Sequence, residues 1–464
     1  MGLKKGKADR QSCTSVSQPE PLRVVVIGGG PAGLATAIGF GNFGHKATVI
    51  EKRASPADIG TVDRDRSYPV DVTARGMAAL KALEIDEAEL RGRGFLHVFR
   101  GHAAMDGATG RIARKMPLPG GRTGLIGTRD DVVLAFEHYL KGRKDCDVTL
   151  KHETTVVEFD TDRQTVTCSD GYSTPYDLLV GADGKNSPTR AFFAERDTRL
   201  LVTPRKGRVG EVRYKTFNLD VAEKLDVLEE GWLYGVGGPP PDNPVVSRTP
   251  LFDADLRKVG RGVGIVPVND APSDALSSAF ALCKSESDRS LLHSKLPKKL
   301  LAASTEAERQ SFETRCLSDA SGGFVASKLY SGHCAFVGDA AVSPAPAGQG
   351  VNHALDAAAS LVTHFDAVHF DVEHGLEHWN DERMPDEEAY AFLSDANKPL
   401  WVQTAVDAAA LVGAHRDGPY MKQTEERYRD LTTVHVQLGY IAIPKPPPPK
   451  HDDDDLADLQ GLAG

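Results

Sequence analysis

Residues Leu22–Arg53 read LRVVVIGGGPAGLATAIGFGNFGHKATVIEKR, and this stretch decides the fold. Val24-Val25-Val26-Ile27 is a continuous apolar run, the pattern of a strand buried on both faces. Gly28-Gly29-Gly30-Pro31-Ala32-Gly33 follows at once. A helix-compatible stretch then covers Ala32–Phe43, and a second strand covers Ala47–Glu51. Strand, helix and strand within about 30 residues is the size of a βαβ unit.

The glycine spacing fits G-x-G-x-x-G between a strand and a helix. Gly28 permits the tight turn, Gly30 lets backbone approach a pyrophosphate, and Gly33 allows close helix–strand packing. Pro31 and Ala32 open the helix, whose free N–H groups and positive dipole end suit phosphate. Glu51, 18 positions after Gly33, ends the second strand, where its carboxylate can accept from a pair of ribose hydroxyls. Lys52 and Arg53 follow and join it as candidate cofactor contacts. The motif predicts a dinucleotide and does not separate FAD from NAD.

Two later stretches repeat the logic. Gly181-Ala182-Asp183-Gly184-Lys185-Asn186-Ser187-Pro188-Thr189-Arg190 follows the apolar run Leu178–Val180. Gly338-Asp339-Ala340-Ala341 follows Ala335–Val337 and leads to Gly350-Val351-Asn352. Asp183, with Gly184, and Asp339 thus fall at the C-terminal ends of strands, where open α/β sheets bind ligands. Asp339 can accept from a polyol such as a ribityl chain. Gly350, Val351 and Asn352 open a helix whose N–H groups can stabilise negative charge on a reduced isoalloxazine. The plainer reading of each aspartate is a helix N-cap.

The three motifs together resemble the flavoprotein aromatic hydroxylases, single-component monooxygenases that bind FAD and are reduced by NAD(P)H. Arg129, with Val132 and Phe136, is similar to that family's Arg-x-x-Leu-x-x-x-Leu segment, whose arginine contacts the flavin diphosphate; Val156 is a further implied flavin contact. The resemblance covers roughly Leu22 to Asn397. It implies an α/β fold: a discontinuous Rossmann-like FAD-binding domain with an inserted antiparallel-sheet substrate domain and a C-terminal helical segment. The expected boundaries are 22–76, 128–198 and 329–365 for the FAD-binding domain, and 77–127 and 199–328 for the substrate domain. Residues 366–440 are expected to be helical, with a disordered arm at 1–21 and a disordered Pro-rich, acidic tail at 441–464.

Within the family the pattern is most similar to the kynurenine 3-monooxygenase branch. Arg66-Ser67, Arg75-Gly76, Ala79-Leu80-Lys81-Ala82 and Arg383-x-Pro385-Asp386-x-x-Ala389 with Leu393 and Asn397 carry that likeness. A plainer reading of the last stretch is a solvent-facing acidic helix with Pro385 at its N-terminus. His102 and Leu118 depart from the pattern, standing where an arginine and a tyrosine would help hold a substrate carboxylate, and Val342 replaces a histidine. A histidine near neutrality is not a permanent bidentate clamp. Losing such an anchor costs on the order of 2–4 kcal/mol for an amino-acid substrate. His102 and Asn397 are the candidate substrate contacts, with a packing role the alternative for His102.

The resemblance implies that NAD(P)H, as NADPH or NADH, reduces FAD, and that a flavin C4a-hydroperoxide carries the chemistry to a small aromatic substrate. No side chain is therefore assigned a catalytic role. An epoxidase or dehydrogenase of the same fold is the alternative, or an inactive flavin-binding regulatory protein. No metal site is expected.

A net charge of −10 argues against nucleic acid as a partner. The six cysteines form no C-x-x-C pair, which fits isolated thiols in a reducing compartment. No run reaches the ~18 apolar residues of a membrane-spanning helix. A cytoplasmic protein is the expectation, with the oligomeric state open.

Overall fold

The computed structural model describes residues 20–393 apart from 58–66, 93, 106–110, 119–120, 142, 206–210, 220–228, 237–244, 253–257, 269–282, 284, 296–303, 316–317, 320–322, 344–349 and 368–370. Five parallel strands form its central sheet: β1 (Arg23–Ile27), β2 (Lys46–Ile50), β3 (Val148–Lys151), β4 (Leu178–Gly181) and β5 (Cys334–Phe336). Their spatial order is β5-β4-β1-β2-β3, and Tyr330–Ser331 adds an antiparallel edge beside β5. Val24, Val25 and Val26 are at most 2% exposed. A central strand covered on both faces needs this unbroken β-branched run, because no face is left for polar residues.

Helices among the described residues include α1 (Pro31–Asn42), α2 (Ala74–Ala82), α3 (Arg129–Lys141), α4 (Pro188–Ala194), α5 (Gly350–Ala367) and α6 (Val372–Leu393). Helix α1 is almost entirely buried, and its small residues let neighbours come close. A Cβ on Gly39 would sit 2.4 Å from Leu83 Cδ2 and 3.0 Å from a Val362 methyl. The Ala- and Gly-rich composition therefore serves packing between α1, the end of α2 and α5, at a cost in intrinsic helix propensity for the glycines.

The second sheet has seven strands, in the order Ser318–Asp319, Glu211–Leu219, Lys258–Val268, Val245–Phe252, Trp232–Val236, Gly101–Met105 and Ile112–Pro117. All pairings are antiparallel except one: Trp232–Val236 runs parallel to Gly101–Met105. The expected antiparallel sheet is present, then, with a parallel seam where its two sequence contributions meet. The expected boundary at 77 falls inside α2, and Ala79, Leu80, Leu83, Ile85 and Leu90 pack in the same core as β1. Residues 77–90 thus pack with the nucleotide sheet, because α2 presents its apolar face to α5 and to the strand Pro69–Val72. The boundary at 366 likewise falls inside α5. Most of the terminal arm, the tail and residues 394–440 lie outside the described residues.

Helices α2, α5 and α6 are joined by a buried ionic network. Arg383 Nη1 donates to Asp356 Oδ2 at 2.6 Å and to Asp386 Oδ2 at 3.2 Å, while its Nε donates to Glu387 Oε1 at 2.8 Å. Arg75 Nη2 reaches the same Asp356 oxygen at 2.9 Å. His353 Nε2 lies 2.6 Å from Glu387 Oε2, and its ring stacks on Tyr390 at 4.0 Å. Burial works to raise the Glu387 carboxyl, but the His353 and Arg383 charges outweigh it and hold it well below the usual carboxylate range. The solvent-facing reading of this stretch is overturned: the Arg383 side chain is 2% exposed and Pro385 lies inside α6.

Removing one member of such a network strands opposite charge in a low-dielectric interior. Arg383→Met in the full chain is expected to cost about 3–5 kcal/mol in urea denaturation, and Arg383→Lys to recover only part of it. An unchanged denaturation midpoint for Arg383→Met would show the network contributes nothing to stability.

Candidate functional site

Strands β1, β4 and β5 are neighbours in parallel register, with Ile27 opposite Gly181 and Gly181 opposite Phe336. The three glycine-rich turns that follow them therefore emerge along one edge of the sheet. They border a single cavity of about 520 Å³. That volume lies within the roughly 300–1,000 Å³ of small-molecule and cofactor sites.

Of the residues proposed from sequence as cofactor contacts, Gly28, Gly30, Pro31, Ala32, Glu51, Lys52, Arg53, Arg129, Val156, Asp183, Gly184, Asp339, Gly350 and Val351 line this cavity. Gly33 lies beneath it: a Cβ there would be 1.9 Å from the Gly28 carbonyl oxygen. Gly28 itself has φ +107°, and a Cβ would meet the Ala182 carbonyl oxygen at 2.4 Å. The turn thus closes on itself and on the neighbouring strand, with no room for a side chain at either position. Gly30 is different, because a Cβ there would project into open space. Gly30 caps α1 without a side-chain hydrogen bond, so the first amides of the helix are left for a ligand.

Glu51 does local work as well as bordering the cavity. Its Oε2 accepts from Gly29 N at 2.7 Å, and its Oε1 accepts from Arg53 N at 2.9 Å and Arg53 Nε at 3.1 Å. Burial works to raise this carboxyl, yet the Gly29 and Arg53 donors outweigh it and hold Glu51 below its ordinary value. Asp183 Oδ2 accepts from Thr189 N at 3.0 Å and Thr189 Oγ1 at 2.8 Å. Its Oδ1 is buried with no hydrogen-bond partner among the described residues, a state that a bound hydroxyl would relieve. Asp339 is open to solvent at residue level but lies deep among protein groups. Desolvation there pushes its carboxyl up, against the pull of His353, Lys185 and Arg129.

Asn352 stands in the first turn of α5, but its side chain turns away from the cavity. Its side chain is 1% exposed and does not line the cavity. Oδ1 accepts from Thr73 N at 2.8 Å and Nδ2 donates to the Asp71 carbonyl at 2.9 Å. A side chain two residues into a helix points along the N-terminal turn, and here it fastens α5 to the chain before α2. His102 lies elsewhere in the structure. It lies on the Gly101–Met105 strand, its ring edge-on to Phe99 at 5.2 Å, and it is not among the cavity-lining residues. Leu118 is buried against Phe99 and Ile126. Asn397 lies outside the described residues.

Three contributors escape a reading by motif. Arg190 Nη1 donates to the Ala340 carbonyl at 2.8 Å and Nη2 to the Lys185 carbonyl at 2.9 Å, tying the second turn to the third. Glu137 and His152 also line the cavity, with His152 Nε2 3.3 Å from Glu137 Oε1, and that partner raises the His152 imidazole. Arg190 closes the quoted second motif, but its length of reach gives no sequence signal; Glu137 and His152 belong to no motif at all.

Comparison with known proteins agrees with this geometry. Residues 21–196 match the family model described as FAD binding domain. Zeaxanthin epoxidase of Nicotiana plumbaginifolia is 31% identical over 176 residues, and that of Prunus armeniaca 31% over 186. The first match covers 36% of this chain and 26% of the relative, so the aligned part spans about a quarter of the relative's length. Two solved structures align over most of the chain. The tetrameric form of 2-methyl-3-hydroxypyridine-5-carboxylic acid oxygenase gives a TM-score of 0.59 at 18% identity, over 88% of this chain and 96% of that one. P. aeruginosa PqsL in complex with 2-aminobenzoylacetate gives 0.58 at 19%, over 88% and 100%.

The fold is that of FAD-dependent monooxygenases. All the cavity-lining residues except Val337, Asp339, Gly350, Val351 and Ala354 fall within the matched residues 21–196. Among the described residues no helix is long and apolar enough to cross a membrane. Cys146, Cys168, Cys283 and Cys334 carry free thiols.

Two substitutions test the turn. Gly33→Ala forces backbone apart at a 1.9 Å approach and is expected to abolish retention of flavin, read from the visible absorption of the purified protein. Glu51→Gln keeps one acceptor oxygen and loses the charge. Because Glu51's folded pKa is lowered, its contribution is present above the unfolded value near ~4.3 and drains away as pH falls through the folded value. The stability gap between the parent protein and Glu51→Gln should therefore be largest near neutrality and shrink below about pH 4.3. A gap that does not narrow in acid would show that the Glu51 charge contributes nothing.

Proposed function

We propose that the protein is an FAD-dependent, NAD(P)H-consuming monooxygenase that inserts one atom of O₂ into a small aromatic substrate. The observation that carries this reading is the convergence of three separate glycine–aspartate turns on one cavity. The residues present fit the group. The amides at Gly30 and the head of α1 would hold the diphosphate, with Arg129 and Arg53 supplying positive charge. Glu51 would face the adenosine ribose, and the unpartnered Asp183 oxygen and Asp339 would accept from hydroxyls of the cofactor. The N-terminal turn of α5, at Gly350 and Val351, would lie beside the redox-active ring, where helix amides favour negative charge.

When bound, FAD supplies the redox chemistry: it takes a hydride from NAD(P)H and uses O₂ to deliver one oxygen to the ring, the other leaving as water. The protein's part is to orient and to exclude solvent. A dry cavity prevents loss of the activated oxygen to bulk water, and a fixed substrate pose supplies proximity. The strand Pro69–Val72 contacts both the Val245–Phe252 and Lys258–Val268 strands, which brings the seven-stranded sheet next to the chain leading into α2. That sheet is the natural wall for a substrate.

For the substrate class, the likeness of the Arg75 and Arg383 stretches to the kynurenine branch favours an aromatic acid. The His102 and Leu118 departures favour one whose acid group is held differently. Epoxidation of an alkene is the second reading, supported by the identity of the curated relatives, although their alignment is short. Scattered thiols and an acidic surface support a cytoplasmic setting without nucleic-acid partners.

The purified protein is expected to be yellow. It should oxidise NADPH or NADH faster when offered some member of a panel of kynurenine, tryptophan metabolites and hydroxybenzoates, with O₂ uptake matched to hydroxylated product. Absence of flavin, or flavin without stimulation by any aromatic acid, would remove the proposal; an epoxide product would select the second reading. Arg129→Ala removes a charged donor and should weaken FAD by about 1.5–3 kcal/mol, on the order of tenfold to a hundredfold in Kd, by flavin fluorescence titration.

A further inference from the structure

On the face of the molecule where α5 ends against α6, three side chains converge that the flavin site does not use. His364 is in the last turn of α5, and His378 and Glu382 are one turn apart on α6. His378 Nδ1 lies 3.1 Å from His364 Nε2, and Glu382 Oε2 lies 3.1 Å from His364 Nδ1. The other Glu382 oxygen is 3.8 Å from His378 Nδ1. One ligand atom from each residue falls within 4.8 Å of the others. The His364 side chain is 8% exposed, whereas those of His378 and Glu382 are 64% and 63% exposed, so the cluster is anchored on one side and open on the other.

We infer that His364, His378 and Glu382 form a divalent transition-metal site, best suited to Zn²⁺, that clips α5 to α6. Two imidazole nitrogens bound to one tetrahedral zinc at about 2.0–2.1 Å each stand roughly 3.3 Å apart. The observed 3.1 Å is close to that spacing, so little movement is needed on binding. Imidazole and carboxylate ligands suit zinc, and an open side leaves room for water to complete the coordination. Binding through His364 Nε2 requires the Glu382 carboxylate to leave its contact with His364 Nδ1 and turn toward the metal, a side-chain rotation that its exposed position allows. The fourfold spacing His378-x-x-x-Glu382 sets two ligands on one helix face. His374 extends this to His-x-x-x-His, a pattern that an expectation of no metal site overlooks. His374 itself pairs with Asp371 at 3.2 Å and is not a member of the cluster. The site is separate from the flavin cavity, so its fate is independent of the proposed oxygenase activity.

The test uses the untagged full-length protein, treated with chelator and dialysed. Calorimetric titration with Zn²⁺, and difference absorption with Co²⁺, should each show one saturable equivalent, with the Co²⁺ signal bleached by Zn²⁺. His378→Ala and Glu382→Ala change exposed side chains, so metal-free thermal melting should stay at the parental temperature. Each should weaken binding roughly tenfold or more and abolish the rise in Tm that zinc gives the parent. His374→Ala should bind as the parent does. No saturable equivalent in the parent, or full binding retained by both His378→Ala and Glu382→Ala, overturns the assignment, as does loss of binding in His374→Ala alone.

Discussion

The side-by-side register of β1, β4 and β5 is the constraint on which the rest depends. Each of these strands is about 150 residues from its neighbour in the sheet, yet Ile27, Gly181 and Phe336 stand level. Parallel pairing aligns the C-terminal ends of strands, so whatever follows each strand is delivered to the same edge. A slip of one residue would move one turn about 3.3 Å along the edge and exchange the two buried faces of that strand, so the site would not assemble.

Given that register, polar contacts lock the turns to one another. Arg190 spans the second and third turns through two carbonyl oxygens, and its guanidinium packs over Phe324 at 3.9 Å. Glu51 braces the first turn from the end of β2, and Asn352 braces α5 against the chain before α2. The shared logic is a buried polar side chain whose donors and acceptors are consumed by backbone groups from distant parts of the chain. Such bonds are modest singly, but leaving a partner unmet is costly, so each turn has one favoured position.

Much of the sheet was legible because its strands are unbroken apolar runs and its turns carry glycine for steric reasons that act locally. The Gly28 and Gly33 positions follow from contacts within the turn and with the adjoining strand. Glu51, Asp183 and Asp339 were also readable as cavity groups, since each closes a strand. The side-chain contacts of Asn352 and His102 were not legible for a common reason: their neighbours in sequence do not determine which way their side chains turn. Thr73 and Asp71 claim Asn352, and Phe99 takes the edge of the His102 ring, through tertiary contacts with no local signal. The packing of α2 was hidden similarly, because its Ala-Leu face reveals a partner helix without saying to which sheet that helix belongs.

The parallel seam between Trp232–Val236 and Gly101–Met105 has a consequence for biosynthesis. The seven-stranded sheet draws on chain segments that flank β3, β4, α3 and α4, so it cannot be excised as one continuous fragment. Its closure must wait until residue 236 has left the ribosome, with the early strand pair Gly101–Met105 and Ile112–Pro117 holding an unpaired edge in the meantime. Loop closure over such a distance makes for slow maturation and an interval of exposure to aggregation.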